Sequence, residues 1–370
     1  MSKIKVNRLE NTSTANGGID IDTSGHVQVD GLQMPTAGAL SNRNRIINGS
    51  MEVAQRGTSS TANGYVSLDR WYVNQSGGST TFSQETFTVG EERSGLQNYA
   101  KFAVSASSDF THIRQLIEDV KSIPAGSVTV SFDAKGTSPS GGLAVSLNQN
   151  FGSGGSTDVA ITPQYVTLTS SWQRFNLTFT VPSISGKTVG AGNNFRLIIG
   201  QFSNTSATAW ELNITGVQLE VGSKATPFEH ESYGQTLAKC QRYFQTLNNT
   251  PVFNSAATGT GLSAITMWYS GNTTASCRTF FPVMMRVPPT AVVIGTEGDL
   301  TTTGNNGTIG MYYNGAWQSN LTWSVSATET TENSVRLNAG SLPRGVSGNC
   351  GGLYFYGTSL TSTVQLNAEL

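Results

Sequence analysis

The sequence predicts a mostly β protein: an antiparallel β-sandwich joined by one short helix to a second β domain, with a short β-rich segment in front. Three observations carry that prediction. Segments that alternate apolar with polar residues recur along the chain, separated by Gly, Ser, Asn and Pro turns. Over residues 42–230 no helix-length crossover separates them, which makes their sheets antiparallel. Only the stretch VGSKATPFEHESYGQTLAKCQRYFQTL carries a helical period.

Residues 1–41 come first. In GGIDIDTSGHVQVDGLQMP, Ile19, Ile21, Val27, Val29 and Leu32 alternate with polar residues, and Gly18, Gly25 and Gly31 punctuate the pattern. Such strands are too short and too few to enclose a core within one chain. The segment is therefore expected to intertwine with other chains or to dock on something larger. His26, between strand residues, reads as a surface or interface side chain, and Pro35, Gly38 and Ser41 make a linker.

Residues 42–230 read as the sandwich, with strands at 70–74, 80–88, 100–105, 111–116, 127–134, 143–148, 173–181, 194–199 and 209–219. VTVSFDA puts Val128, Val130 and Phe132 on one face, and RFNLTFTV does the same for Phe175, Leu177, Phe179 and Val181. Trp71, Trp172 and Trp210 fall inside such patterns and read as core.

The helix is predicted over 231–248. Tyr233, Leu237, Cys240, Phe244 and Leu247 recur at spacings of four and three, while Lys239 and Arg242 keep the opposite face polar. Pro227 ends the extended chain upstream, and Glu229 and Glu231 suit a helix N-terminus. One amphipathic helix cannot bury its stripe alone. It must pack on a neighbouring sheet or on copies of itself, and the spacing permits a short bundle around a symmetry axis.

Residues 249–370 form the second β domain, with strands at 263–269, 277–287, 291–294, 310–313, 321–325, 334–337, 352–356 and 363–366. Pro288 and Pro289 must break a strand or sit on an edge. MYYNGAWQSNLTW gathers Tyr312, Tyr313, Trp317 and Trp323 around a polar turn with Asn314, Gln318 and Asn320, the densest aromatic–amide cluster of the chain. Aromatic faces beside amide side chains suit a ligand with both apolar and hydrogen-bonding surface, so this cluster is the first candidate for ligand contact. The same stretch also reads as a hairpin with cross-strand aromatic pairing. His112 and Arg114, on one strand of the sandwich, are the second candidate.

Composition narrows the function. The 370 residues have room for more than one core. With 12% charged residues and a net charge of −1, neither nucleic acid nor membrane insertion is expected. No window approaches the apolar length of a membrane span, and MSKIKVNRLE lacks a signal-peptide core, so export through a signal peptide is not expected. The 41 glycines fit many tight turns, since 37% hydrophobic residues argue against disorder. Cys240, Cys277 and Cys350 are odd in number and far apart, and read as free thiols.

NRIINGSMEVAQRG, LDRWYV, SVTVSFDAKGT, SSWQRFNLTFTVP and ITGVQLEVGSKATPFE follow one another in that order. The series resembles jelly-roll carbohydrate-binding modules, and more specifically tail-fibre and receptor-binding proteins of tailed bacteriophages. ESYGQTLAKCQRYFQ and FFPVMMRVPPTAVV resemble the region that follows this sandwich in marine phage tail proteins. The resemblance implies a homotrimeric tail appendage, made in the host cytoplasm and carried on the virion. It would attach to virion proteins by its N-terminus and meet bacterial surface glycan or lipopolysaccharide with its β domains. Related modules carry a structural calcium near the NG-x-x-E segment and the last strand, and Glu52 and Glu220 occupy those places; hard oxygen ligands suit Ca²⁺. No other cofactor is implied.

Enzymatic signatures are lacking in the sequence. GTSPSGG and GVSGNCG lack the context of a nucleophile elbow, and neither HExxH nor CxxC occurs. Asp119, Asp133, Glu211 and Glu220 read as the scattered acids of any sandwich, not as a glycosidase pair. The chain is expected not to be an enzyme. A purely architectural nozzle or adaptor and a polysaccharide depolymerase are the alternatives.

Overall fold

The protein is seen in a computed structural model that describes residues 8–10, 18–21, 27–29, 32–33, 42–93, 95–107, 109–202, 208–246, 265–269, 275–294, 308–313, 316–318, 322–325, 329–340, 350–356 and 363–370. It divides into two compact units, Met1–Thr236 with Leu370, and Leu237–Glu369.

The first unit opens with a four-stranded antiparallel meander, β1 (Arg8–Glu10), β2 (Gly18–Ile21), β3 (Val27–Val29) and β4 (Leu32–Gln33), paired in sequence order. Leu9 opposes Ile19 and Ile21 opposes Val27, which puts all four on one face. They are 58%, 43%, 45% and 37% exposed, so that apolar face has no cover among the described residues.

The sandwich follows, built from β5 (Ser59–Ser60), β6 (Gly64–Tyr65), β7 (Tyr72–Gln75), β8 (Gly78–Thr86), β9 (Asn98–Ser107), β10 (Thr111–Glu118), β11 (Gly126–Thr137), β12 (Leu143–Asn150), β13 (Val159–Val166), β14 (Gln173–Val181), β15 (Asn194–Gln201) and β16 (Trp210–Val221). It is a jelly roll of two six-stranded antiparallel sheets, ordered β13-β12-β15-β10-β7-β6 and β14-β11-β16-β9-β8-β5. Alternation decides which residues meet between the sheets. Ile113 and Ile117, Leu143, Val145 and Leu147, and Phe195, Leu197 and Ile199 line the core from the first sheet. Val128, Val130, Phe132, Leu212 and Ile214 line it from the second. Each large apolar side chain removed from water here contributes about 1.5–3 kcal/mol. Trp71 and Trp210 are core, as expected, but Trp172 is not. It precedes β14 at an outward position and packs half-buried against Phe87 and Tyr99, with ring centroids 5.1 and 5.4 Å away.

The segment NRIINGSM clasps the sandwich shut. Asn48 adopts a left-handed φ of 58° and is buried with its amide fully used. Its Nδ2 donates to the carbonyls of Val53 (2.9 Å) and Asp69 (3.0 Å), while Oδ1 accepts from the amides of Glu52 (2.9 Å) and Val53 (3.0 Å). Asn44 ties the same segment to β16 by donating to the Val217 carbonyl at 3.0 Å and accepting from the Leu219 amide at 3.1 Å.

The helix, α1, spans Tyr233–Gln241, shorter than the sequence predicts. Ser232 and Gln235 form its capping box: the Ser232 amide donates to Gln235 Oε1 at 2.9 Å, and the Gln235 amide to Ser232 Oγ at 3.4 Å. Glu229 does not serve the helix; its carboxylate accepts from the Asn44 amide at 2.9 Å. The helical period runs on through Phe244, yet that residue starts a strand, β17 (Phe244–Thr246). Pairing with the C-terminal strand overrides the local pattern.

In the second unit β17 joins a three-stranded sheet with β20 (Thr290–Ile294) and β26 (Thr363–Asn367), in the order β17-β26-β20. A seven-stranded sheet holds β18 (Ile265–Tyr269), β19 (Ala275–Phe280), β21 (Thr308–Tyr313), β22 (Ala316–Gln318), β23 (Thr322–Val325), β24 (Ser334–Gly340) and β25 (Cys350–Tyr356). Its order is β22-β21-β25-β18-β19-β24-β23. The strand predicted over 277–287 ends at Phe280, well before the two prolines. Among the described residues no helix is long and apolar enough to cross a membrane.

Candidate functional site

The outward face of the first sheet collects polar and aromatic side chains from five strands. On β10, Ile113 and Ile117 point to the core, so His112, Arg114, Leu116 and Glu118 point away from it. The register carries that face across the sheet. Arg114 stands opposite Tyr72 on one side and Ile198 on the other, Tyr72 opposite Tyr65, and Ile198 opposite Ser146. The next row places Arg196 between Leu116 and Asn148.

Contacts within this face are specific. Tyr65 and Tyr72 meet edge to face with centroids 5.1 Å apart. The Arg114 guanidinium lies over the Tyr72 ring, Cζ 4.3 Å from its centroid. Arg196 is braced from one end: its Nε donates to Asn194 Oδ1 at 2.8 Å, and Nη1 lies 3.6 Å from Asp158. Asn150 donates to both oxygens of that aspartate at 2.8 Å. Gly200 faces His112, where a Cβ would stand 2.5 Å from the histidine Cα, so the floor there admits only glycine.

Electrostatics follow from burial. Desolvation, then the neighbouring Arg114, hold the His112 pKa down at about 4, so the imidazole is neutral near pH 7. Asn74 Nδ2 lies 3.3 Å from its Nε2 and donates to it, which leaves the ring proton on Nδ1. Burial also lowers the Arg196 pKa, with Asp158 opposing and Arg114 adding to the effect. His112 Nδ1, Arg114 Nε and Asn148 Oδ1 are buried with no hydrogen-bond partner among the described residues. A face with aromatic rings, an oriented guanidinium and unsatisfied amide and imidazole groups is equipped to bind polyhydroxylated ligands.

The first sequence candidate falls in the second unit. Tyr312 opposes Trp317 and Tyr313 opposes Ala316 in the β21–β22 hairpin, so the cross-strand pairing reading describes the backbone there. Gln318 opposes Met311 in that hairpin, Trp323 pairs with Ala339 on β24, and Asn314 and Asn320 lie outside the described residues. His112 and Arg114, the second candidate, stand within the built face. Tyr65, Tyr72, Asn148 and Arg196 also stand there, and the sequence alone does not single them out.

Glu52 and Glu220 are differently engaged. Glu220 is buried, and its oxygens accept from Gln218 Nε2 at 2.9 Å, the Thr226 amide at 2.8 Å and Thr226 Oγ1 at 2.7 Å. Burial raises the Glu52 pKa, with His230 and Ser50 acting against it. Among the described residues no three His, Cys, Asp or Glu side chains gather as metal ligands would. Of the helix stripe, Cys240 and Phe244 are buried within the single chain, Leu237 is half-buried, Tyr233 is 56% exposed, and Leu247 lies outside the described residues.

No protein-family model and no curated relative matches the chain. Solved structures are similar to it, among them the following three. The enzymatically active domain of bacteriophage CBA120 tailspike protein 4 aligns at 13% identity and a TM-score of 0.33, over 48% of this chain and 21% of that one. The N-terminal cellulose-binding domain of Cellulomonas fimi β-1,4-glucanase C aligns at 16% identity and 0.29, over 47% of this chain and 100% of that one. The family 11 carbohydrate-binding module of Clostridium thermocellum, in complex with a mixed-linked tetrasaccharide, aligns at 14% identity and 0.29, over 47% and 98%. These likenesses concern fold alone.

Proposed function

We propose that this chain is an adhesion protein of a phage tail, carried on the virion, that binds bacterial surface glycan through the outward face of the first sheet of its sandwich. The observation that supports it best is the Arg114 guanidinium laid over Tyr72, beside Tyr65 and His112, with Asn148 two strands away on the same face. Aromatic rings stack on the C–H faces of sugars, and the amides and guanidinium take their hydroxyls. The exposed apolar face of the N-terminal meander suits attachment to virion proteins or to copies of the chain. Assembly as a homotrimer would multiply weak single-site binding into firm adhesion. No catalytic role and no required cofactor enter this reading.

Binding of the full chain to bacterial cells and to extracted lipopolysaccharide tests it. Retention is expected on at least one strain, and none on a strain stripped of surface glycan. Retention on no glycan-bearing surface would instead favour an architectural tail component. Release of reducing ends from the bound glycan would make the chain a depolymerase.

A further inference from the structure

Arg114 differs from four other arginines of the sandwich, each of which has an acidic partner. Arg56 lies 3.7 Å from Asp69, Arg93 and Arg174 lie 3.3 and 3.0 Å from Asp133, and Arg196 lies 3.6 Å from Asp158. Arg114 has neither ion pair nor hydrogen bond among the described residues; its close contact is the face of Tyr72, 4.3 Å from Cζ. The guanidinium rests against the ring with its Nε buried, so the side chain is held in place before any ligand arrives. The adjoining groups do not neutralise it. His112 beside it is uncharged, and Asp158, on the same face, is already held by Arg196 and Asn150. A half-buried, oriented cation with no counter-charge is what an anionic ligand would complete. Asn148 Oδ1, two strands away and also unpartnered, calls for a donor such as a sugar hydroxyl.

Resting on the glycan reading above, we infer that the ligand of this face is an acidic sugar, whose anionic group Arg114 receives while its hydroxyls meet the amide side chains around it. A planar carboxylate, as in a uronic acid, matches the guanidinium fork with two parallel hydrogen bonds; a sulfate ester presents the same charge.

The test uses the full chain on an array of acidic and neutral bacterial polysaccharides. Dextran sulfate and dextran are included, and each uronic-acid polymer is also printed after carbodiimide–borohydride reduction of its carboxyl groups. Retention is expected on acidic polymers, with reduction of their carboxyls weakening binding at least about tenfold. Arg114→Gln should give the same loss with an unchanged thermal midpoint, and Arg114→Lys should restore part of it. Retention on dextran sulfate alone would assign the anion to a sulfate ester. Retention on neutral polymers, indifferent to Arg114→Gln, would overturn the acidic assignment and leave glycan binding standing. Retention on none would overturn both.

Discussion

Gly49 is pressed against Val217. Its carbonyl accepts from the Val217 amide at 3.0 Å, and a Cβ on Gly49 would stand 2.1 Å from the Val217 oxygen. The clasp between NRIINGSM and the last sandwich strand therefore tolerates no side chain here. Gly49→Ala is expected to destabilise the sandwich by roughly 2–4 kcal/mol, read as a lower denaturant midpoint. Gly234, in the first turn of α1, has nothing within 4 Å of an added methyl and serves as the contrast. Gly234→Ala should leave the midpoint unchanged or raise it by up to about 1 kcal/mol.

Asp133 is buried on β11 between Arg93 at 3.3 Å and Arg174 at 3.0 Å. Arg174 also donates to the Gly216 carbonyl at 2.8 Å and to Ser131 Oγ at 2.7 Å, so it holds the β16 bulge in register. Asp133→Ala leaves two guanidinium groups without their shared counter-charge. Both still reach solvent, which moderates the cost to about 2–3 kcal/mol by the same denaturation measurement. Arg93→Ala should cost less, because Arg174 keeps Asp133 paired.

His112 makes stability depend on pH. Its native pKa of about 4 lies below the 6.5 of an exposed imidazole. Between those values the unfolded chain binds more protons than the native one, so stability rises with pH across the window. The contribution is whole above pH 6.5 and is lost as the pH falls toward 4, about 3 kcal/mol in all. Urea titrations at pH 7, 6, 5 and 4.5 should show this slope in the native sequence. His112→Gln should flatten it, and an unchanged slope would mean that other groups set the acid sensitivity.

Most of the sandwich is legible in the sequence because core-facing alternation is a local signal. The strand β13 is not, since Pro163 interrupts its pattern; at the edge of the sheet, next to β12 alone, that proline is tolerated. The helix ends sooner than its apolar spacing suggests, because that spacing continues through Tyr243 and Phe244, and Phe244 is buried in a strand pairing with Asn367. The proposed binding face is half legible. His112 and Arg114 are neighbours on one strand, but Tyr65, Tyr72, Asn148 and Arg196 reach them only through the register of four other strands. A contiguous aromatic run such as MYYNGAWQSNLTW draws the eye first. The signal available in the sequence is parity: polar and aromatic residues at the non-core positions of strands adjacent in one sheet.

If the first sheet of the sandwich, and not the β21–β22 hairpin, contacts glycan, substitutions in the two places must separate. Calorimetric titration of one retained polysaccharide into the native chain, Tyr72→Ala and Trp317→Ala measures this directly. Tyr72→Ala is expected to weaken binding about tenfold or more, while Trp317→Ala binds as the native chain does. Loss on Trp317→Ala with Tyr72→Ala unaffected would contradict the assignment of the site to the first sheet.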